Sequence, residues 1–471
     1  MGNYGNGTGK RVAAIDALRG LSMFFMIFGA AIWWHSGLPG WMFHCQVPPP
    51  DYAFHPEVRG ITYMDMVFPF FLFSMGAAFP FALRKRLERG ESYGSVIGGL
   101  LRRWVTLVMF SLLLGNTGLM QGWNGPDVVK GVFSLTVWGG FFLSLWRTPR
   151  KWTSRVGYLL LLAALCFEKF YCHLQLDVHN TDVIIMILAW VALGGGLIWL
   201  ITKDNMRLRG LTVLVIAAIR AVCAYTPVLD FLTVPDSIGW LFNWGFLQYL
   251  IIAIPASMIG DLLAKGSVPA RDAQQAYSWQ RPVLSLTALV TVAIQPWLLY
   301  TRDVIADLCF TAVLLAIYAA VAAKARLYDK RHGITSPVAP ADIIAAGGFA
   351  LTLIGLGFDF IDGGIAKDFC NLSYLFTTCG TAALMTTVFL HIESLGWKSL
   401  FLADCGQNPM IAYTICWYVI SPLLYGVGLL GPLDSLCPDS PFWAIVRGLT
   451  VTAAMCAATA FFTRKKIFWR S

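Results

Sequence analysis

Stretches of about twenty apolar residues recur from one end of this chain to the other, and few of them contain a charge. That length matches a helix crossing a hydrocarbon core about 30 Å thick, and it is too long for the strands of a membrane barrel. Runs are expected at 15–34, 62–83, 97–116, 128–146, 155–173, 182–202, 210–228, 241–264, 283–300, 303–323, 342–361, 369–391, 408–430 and 441–463. Of the 471 residues 57% are hydrophobic and only 13% are charged, about half the charged share of a soluble domain. The chain therefore reads as an all-α polytopic transmembrane bundle of about 10–14 helices. It forms one domain over 1–471, with motif-bearing helices at 15–146 and 341–471. No cleavable leader is apparent before the first run.

Charge gives an orientation. Of the 35 Lys and Arg, 28 fall on one alternating set of loops. The opposite set holds four, Arg59, Lys130, Arg302 and Lys367. The positive-inside rule then places both termini in the cytoplasm and the loop 35–61 outside. The net charge of +9 is a topology signal and not a nucleic-acid signal, because the basic residues sit between apolar runs. The expected surroundings are a lipid bilayer, with no nucleic acid. The 11 cysteines form no zinc spacing, and no metal site is expected. Those inside apolar runs (Cys166, Cys223, Cys309, Cys416, Cys456) read as small buried hydrophobes. Cys45, Cys172, Cys370 and Cys437 fall near the outer face, where an oxidising compartment would permit a disulfide.

Ionisable residues in or beside the runs carry the functional information, since membrane segments rarely tolerate them without a role. Asp16 and Arg19 share a helix face in the first run, as a local ion pair or with Arg19 facing an anionic ligand. Asp65 stands a few residues into the second run behind Gly60-Ile61-Thr62. It suits a capping box with Thr62, or a partner that fixes the tautomer of a nearby histidine. His44 and His55 lie in the outer loop just before it, and histidine is the side chain best matched to proton transfer near neutral pH. Arg84, Arg102 and Arg103 flank a short inner loop, where they would meet lipid headgroups or a phosphate. Asn408 before Pro409 reads as a helix N-cap. Asp359 and Asp362 end a helix where they would face water, and Arg220 needs a carboxylate from another helix or an anionic ligand. No phosphate-binding Gly-rich loop is present, so nucleotide hydrolysis has no support.

Five segments in order resemble the heparan-α-glucosaminide N-acetyltransferase family, whose bacterial relatives are of the DUF5009 type. They are Ile15-Asp16-Ala17-Leu18-Arg19-Gly20; Gly60-Ile61-Thr62-Tyr63-Met64-Asp65 with the run through Pro69 to Phe73; Asn371-Leu372-Ser373-Tyr374; Gly406-Gln407-Asn408-Pro409 through Tyr413; and Arg464-Lys465-Lys466-Ile467-Phe468-Trp469. The middle third, about 150–340, matches poorly. The resemblance implies a multi-pass enzyme. It passes an acetyl group from cytosolic acetyl-CoA to an amino sugar or related glycan on the far side, using a histidine of the outer loop. Spacing in the animal pattern points to His55, and the bacterial pattern Trp41-Met42-Phe43-His44-Cys45-Gln46 points to His44, which is favoured. Asp65 would orient the histidine; Asp16, Arg19, Arg84, Arg102, Arg103 and Asn408 would serve acetyl-CoA. The late first-helix asparagine of the animal pattern is Ala30 here, which leaves the acceptor open. A bacterial inner membrane location and a homodimer are compatible with this reading. The competing expectation is a non-catalytic sugar or lipid transporter, which fits many helices and intramembrane charges equally well.

Overall fold

The computed structural model describes residues 12–118, 122–146, 151–226, 234, 236–265, 280–331, 339–394, 400–438 and 440–469. Among the basic loop residues, Lys10, Arg11, Arg147, Arg150, Arg271, Lys398 and Arg470 lie outside that range, as does His332. The described residues are helical, with two isolated backbone bridges and no strand.

The helices are α1 (Ala13–Ala31), α2 (Tyr63–Glu88), α3 (Tyr93–Thr117), α4 (Asp127–Leu145), α5 (Lys151–Phe170), α6 (Val183–Thr202) and α7 (Met206–Tyr225). Then come α8 (Leu250–Lys265), α9 (Gln280–Thr301), α10 (Val304–Arg331), α11 (Ala339–Asp362) and α12 (Leu372–Ser394). The described chain closes with α13 (Leu400–Gln407), α14 (Pro409–Ile415), three short helical elements and α15 (Pro441–Arg464). Among the described residues eleven helices are long and apolar enough to cross a membrane, or up to twelve when the pair Ser237–Leu247 and Leu250–Ala264, bent by 50°, counts as one. The expected run at 241–264 is that bent pair. The α5 and α7 helices have comparable length but carry Lys151, Arg155, Glu168 and Lys169, and Arg207, Arg209 and Arg220.

The expected run at 408–430 is present as the span Pro409–Gly426, with a break before it and a π-helical turn within it. Pro409 has no N–H and disfavours a helical residue before it, so the chain breaks between α13 and α14 at Asn408. Beyond Ile415 the helix passes through a π-helical turn, Cys416–Ile420, before it resumes over Ser421–Gly426.

The bundle closes around α12, the most enclosed span at 89% buried, whereas α10 on the rim is 22% buried. Helices in lipid gain no hydrophobic drive from each other and rely on small residues for close approach. Gly20 and Gly406 bring α1 and α13 together so tightly that a Cβ on either would strike backbone, the Leu402 and Asp16 carbonyls. Gly76 and Gly260 play the same part between α2 and α8. All 11 cysteines are free. Cys166, Cys223 and Cys309 lie on the exposed outside of the bundle, a departure from the burial expected of them.

Candidate functional site

Three loops meet over the N-terminal end of α2. The loop 32–62 is pinned by Gln46, a buried residue whose Nε2 donates to the Val58 and Gly60 carbonyls at 3.1 and 3.2 Å. Gly60 must lack a side chain, since its φ is +122° and a Cβ would press on the Leu299 carbonyl and the Cys45 sulfur. From there the Gly60 N–H reaches the Ile365 carbonyl at 2.8 Å and ties this loop to loop 363–371. The second loop is shaped by Asn371, whose Nδ2 donates to the Gly364 carbonyl at 2.8 Å while its Oδ1 accepts from Tyr374 N at 3.1 Å. The third, the tight turn after α9, supplies Arg302. Its guanidinium grips Asp359 through two bonds of 2.8 and 3.0 Å, and Asp359 also accepts from Ile365 N at 2.6 Å. Asp359 is therefore an ion-paired buttress, not the water-facing residue expected. Asp362 likewise accepts from Ser373 N at 2.7 Å at the start of α12.

Asp65 lies at the centre, its side chain fully buried. Its two oxygens face different partners. Oδ2 accepts from Thr62 N at 3.0 Å, the capping box, and from Cys45 N at 3.2 Å. Oδ1 faces His44 Nδ1 at 2.6 Å. Lys367 Nζ stands 3.5 Å from the same oxygen and 3.2 Å from His44 Nδ1. The Tyr374 hydroxyl fixes the backbone beneath, donating to the Asp65 carbonyl at 2.8 Å. The carboxylate at 2.6 Å favours the tautomer protonated at Nδ1 over the longer 3.2 Å approach of the Lys367 ammonium, which would need a lone pair there, and that tautomer leaves the Nε2 lone pair available. The His44 side chain is 29% exposed. Burial pushes the neighbouring Cys45 thiol up to about 12, with Asp65 adding to the effect, so it stays protonated and is a poor nucleophile.

His55 does not join this cluster. It is held in the exposed part of the loop by Asp51 at 2.9 Å and Glu57 at 3.1 Å. Ala30 is exposed on α1. An apolar groove of about 730 Å³, lined by Phe25, Phe28, Trp41, Met42, Tyr63 and Trp297 among others, runs along the wall next to Thr62.

The expected acetyl-CoA residues do not form one group. Arg19 and Arg103 line a single cavity of about 290 Å³ together with Pro409, Met410 and Trp469. Arg19 is also a clamp, bonded to Asp16 at 3.4 Å, Ser74 Oγ at 3.2 Å, the Ser74 carbonyl at 3.1 Å and the Gly406 carbonyl at 3.2 Å. Arg103 Nε is buried without a hydrogen-bond partner among the described residues. Arg84 is turned elsewhere, to Asp261 at 2.5 Å, where Arg209 and Trp199 also bind. Arg102 is exposed. Asn408 occupies the N-cap position of α14, but its Nδ2 donates to Thr463 Oγ1 at 2.8 Å and the Ile467 carbonyl at 3.0 Å. Arg220 takes neutral partners in place of the expected carboxylate: Gln248 Oε1 at 2.8 Å and the Phe369 carbonyl at 2.7 Å. Lys367 was the residue sequence reasoning missed. Its signal was present, because it is one of only four basic residues on the loops that the charge rule keeps nearly free of them.

Fold and site define a polytopic α-helical membrane protein with a histidine–carboxylate pair at one end of its bundle. A profile of the family described as Domain of unknown function (DUF5009) matches residues 11–263, more than half of the chain, and the chain belongs to that family. It is also similar to heparan-alpha-glucosaminide N-acetyltransferase of Mus musculus, 26% identical over 121 residues, and of Homo sapiens, 26% identical over 120. The matched segment covers 26% of this chain and 16% of each relative.

Proposed function

We propose that this protein is a membrane acyltransferase that moves an acetyl group from acetyl-CoA to an amino sugar or related glycan, with His44 as the base. The observation that carries this reading is the 2.6 Å contact between His44 Nδ1 and the buried Asp65 carboxylate, which leaves Nε2 as a proton acceptor. His44 takes the proton of the acceptor amine as its nitrogen attacks the thioester carbonyl. Asp65 stabilises the imidazolium that forms, and the proton then passes to the departing CoA thiolate. Such a base contributes about 10²–10⁴-fold. Arg19 and Arg103 are the CoA phosphate partners on this reading, because they share a cavity. Arg84 is engaged by Asp261.

The reading is supported further by the similarity to the two acetyltransferases, confined to a quarter of the chain. It places the site on the outer face of a bacterial inner membrane. The test is acceptor-dependent release of CoA thiol by purified protein with glucosamine and its short oligomers. Release lost in His44→Ala and retained in His55→Ala supports the reading; release unchanged in His44→Ala overturns it.

A second reading, a sugar or lipid transporter, draws on a run of cavities. The Arg19–Arg103 cavity and one of about 260 Å³ near Asp182 both adjoin a narrow space of about 10 Å³ lined by Met23, Met26, Phe68, Phe71 and others. Uptake into liposomes that survives His44→Ala, with no CoA release in the wild type, would favour it.

A further inference from the structure

The cavity near Asp182 is built from polar and aromatic side chains that the acyl-transfer reading leaves unused. It lies where the C-terminal end of α3, the first half of α4, the start of α6 and α14 converge, and its volume is about 260 Å³, near the lower limit of small-ligand pockets. Asp182 is fixed there from several directions. Its N–H donates to the Ser111 carbonyl at 3.1 Å, and its own carbonyl accepts from Ser111 Oγ at 2.7 Å. Oδ1 caps α6 by accepting from Ile185 N at 3.0 Å, and Oδ2 accepts from the Tyr413 hydroxyl at 2.7 Å. A carboxylate offers about four lone-pair sites, so each oxygen keeps capacity toward the cavity. Lys130 also lines the cavity, its ammonium 3.4 Å from the Asp127 carboxylate; among the described residues no cation stands within ion-pair distance of Asp182 itself.

Part of the lining is aromatic. The π-helical turn Cys416–Ile420 presents the consecutive residues Trp417 and Tyr418 to the cavity. Such turns insert one extra residue into a helix and are frequent at functional sites. Tyr418 is steadied by Thr117 at 2.8 Å. Ser134 brings a hydroxyl to the same space. A lining of rings, hydroxyls, the Asp182 carboxylate and a Lys130 ammonium already paired with Asp127 does not suit a purely apolar ligand. It suits a ring with an apolar face and a polar rim.

We propose that this cavity is a second ligand site, separate from His44, that takes one pyranose ring carrying an amino group, with the ring against Trp417 and the amine toward Asp182. The site rests neither on acyl transfer nor on transport. It is tested by equilibrium binding of tritiated D-glucosamine to the full-length protein in nanodiscs, beside His44→Ala, Asp182→Asn and Ser134→Ala. Asparagine caps a helix as well as aspartate, so Asp182→Asn keeps α6 in place, and Ser134→Ala removes only a hydroxyl. Binding retained in His44→Ala, weakened about tenfold in Asp182→Asn and weakened measurably in Ser134→Ala is the expected result. Absence of binding in the wild type overturns the proposal. So does binding lost in His44→Ala and unchanged in Asp182→Asn, which would assign the sugar to the His44 site.

Discussion

At the scale of single residues, Asp65 does two jobs that substitution can separate. Asn at this position keeps an oxygen for Thr62 N and Cys45 N but removes the charge that faces His44 and Lys367. Ala removes both. Asp65→Asn is therefore expected to lower turnover by about 10²–10⁴-fold while melting close to the wild type. Asp65→Ala is expected to lose the same activity and about 1 kcal/mol of stability besides, the usual value of an N-cap. Turnover and thermal unfolding measured on both variants check this, and identical melting of the two would deny the separate cap. Much of the pair was legible beforehand, because a carboxylate in the first turn of a membrane helix and a histidine shortly before it each needed a reason. The Asp65–Lys367 contact was not. It joins residues 302 positions apart in sequence (65 and 367), and only the folded loop 363–371 brings them together.

At the scale of elements, the sequence marked α1 and the Gly406 motif but did not say that they touch. Arg19 bridges α1 to the Ser74 carbonyl of α2 and the Gly406 carbonyl of α13, and Gly406 lies against the Asp16 backbone. Gly406→Ala is expected to force the two helices apart, with lower yield of monodisperse protein and a lower melting temperature. A mutant that elutes and melts as the wild type would show the contact to be loose. The outer loop has its own pH dependence. Hydrogen bonds that His55 donates to Asp51 and then Glu57 raise it above its ordinary 6.5; they hold Asp51 below 3.8, and with a backbone hydrogen bond as the larger cause they help hold Glu57 below 4.5. The histidine's contribution is fully present below about 6.5 and is lost as pH rises through its raised value. The carboxylates contribute above their ordinary values and lose that contribution as pH falls through the lowered ones. Hydrogen exchange of residues 51–58 is expected to be slower at about pH 5.5 than at about pH 9 after correction for intrinsic rates. His55→Gln should abolish the difference.

At the scale of the whole molecule, contacts between helix ends settle what apolar length alone does not. Asn180 and Asp182, before α6, pack on Gly115 and Ser111 near the end of α3, the face where α4 starts. Trp146, at the other end of α4, pairs with Trp469 beyond α15. Therefore α5 must carry the chain from one face to the other despite its charges. The same holds for α7. Arg209 at its start meets Asp261 late in α8, and Arg220 near its end meets Gln248 before α8 and the Phe369 carbonyl in the His44 cluster. Adding these two to the eleven spans and the bent pair gives, on this argument, fourteen crossings among the described residues, an even number. We predict that both termini lie on one face, the face rich in Lys and Arg, with His44 on the other. Alkaline phosphatase fused at either terminus should be inactive, and the same reporter inserted near Asp51 should be active. Activity at one terminus alone would mean an odd number of crossings, with α5 or α7 lying along the surface. His44 would then no longer be forced to the face opposite both chain ends, and an acetyl group supplied from the cytoplasm would not need to cross the bundle to reach it.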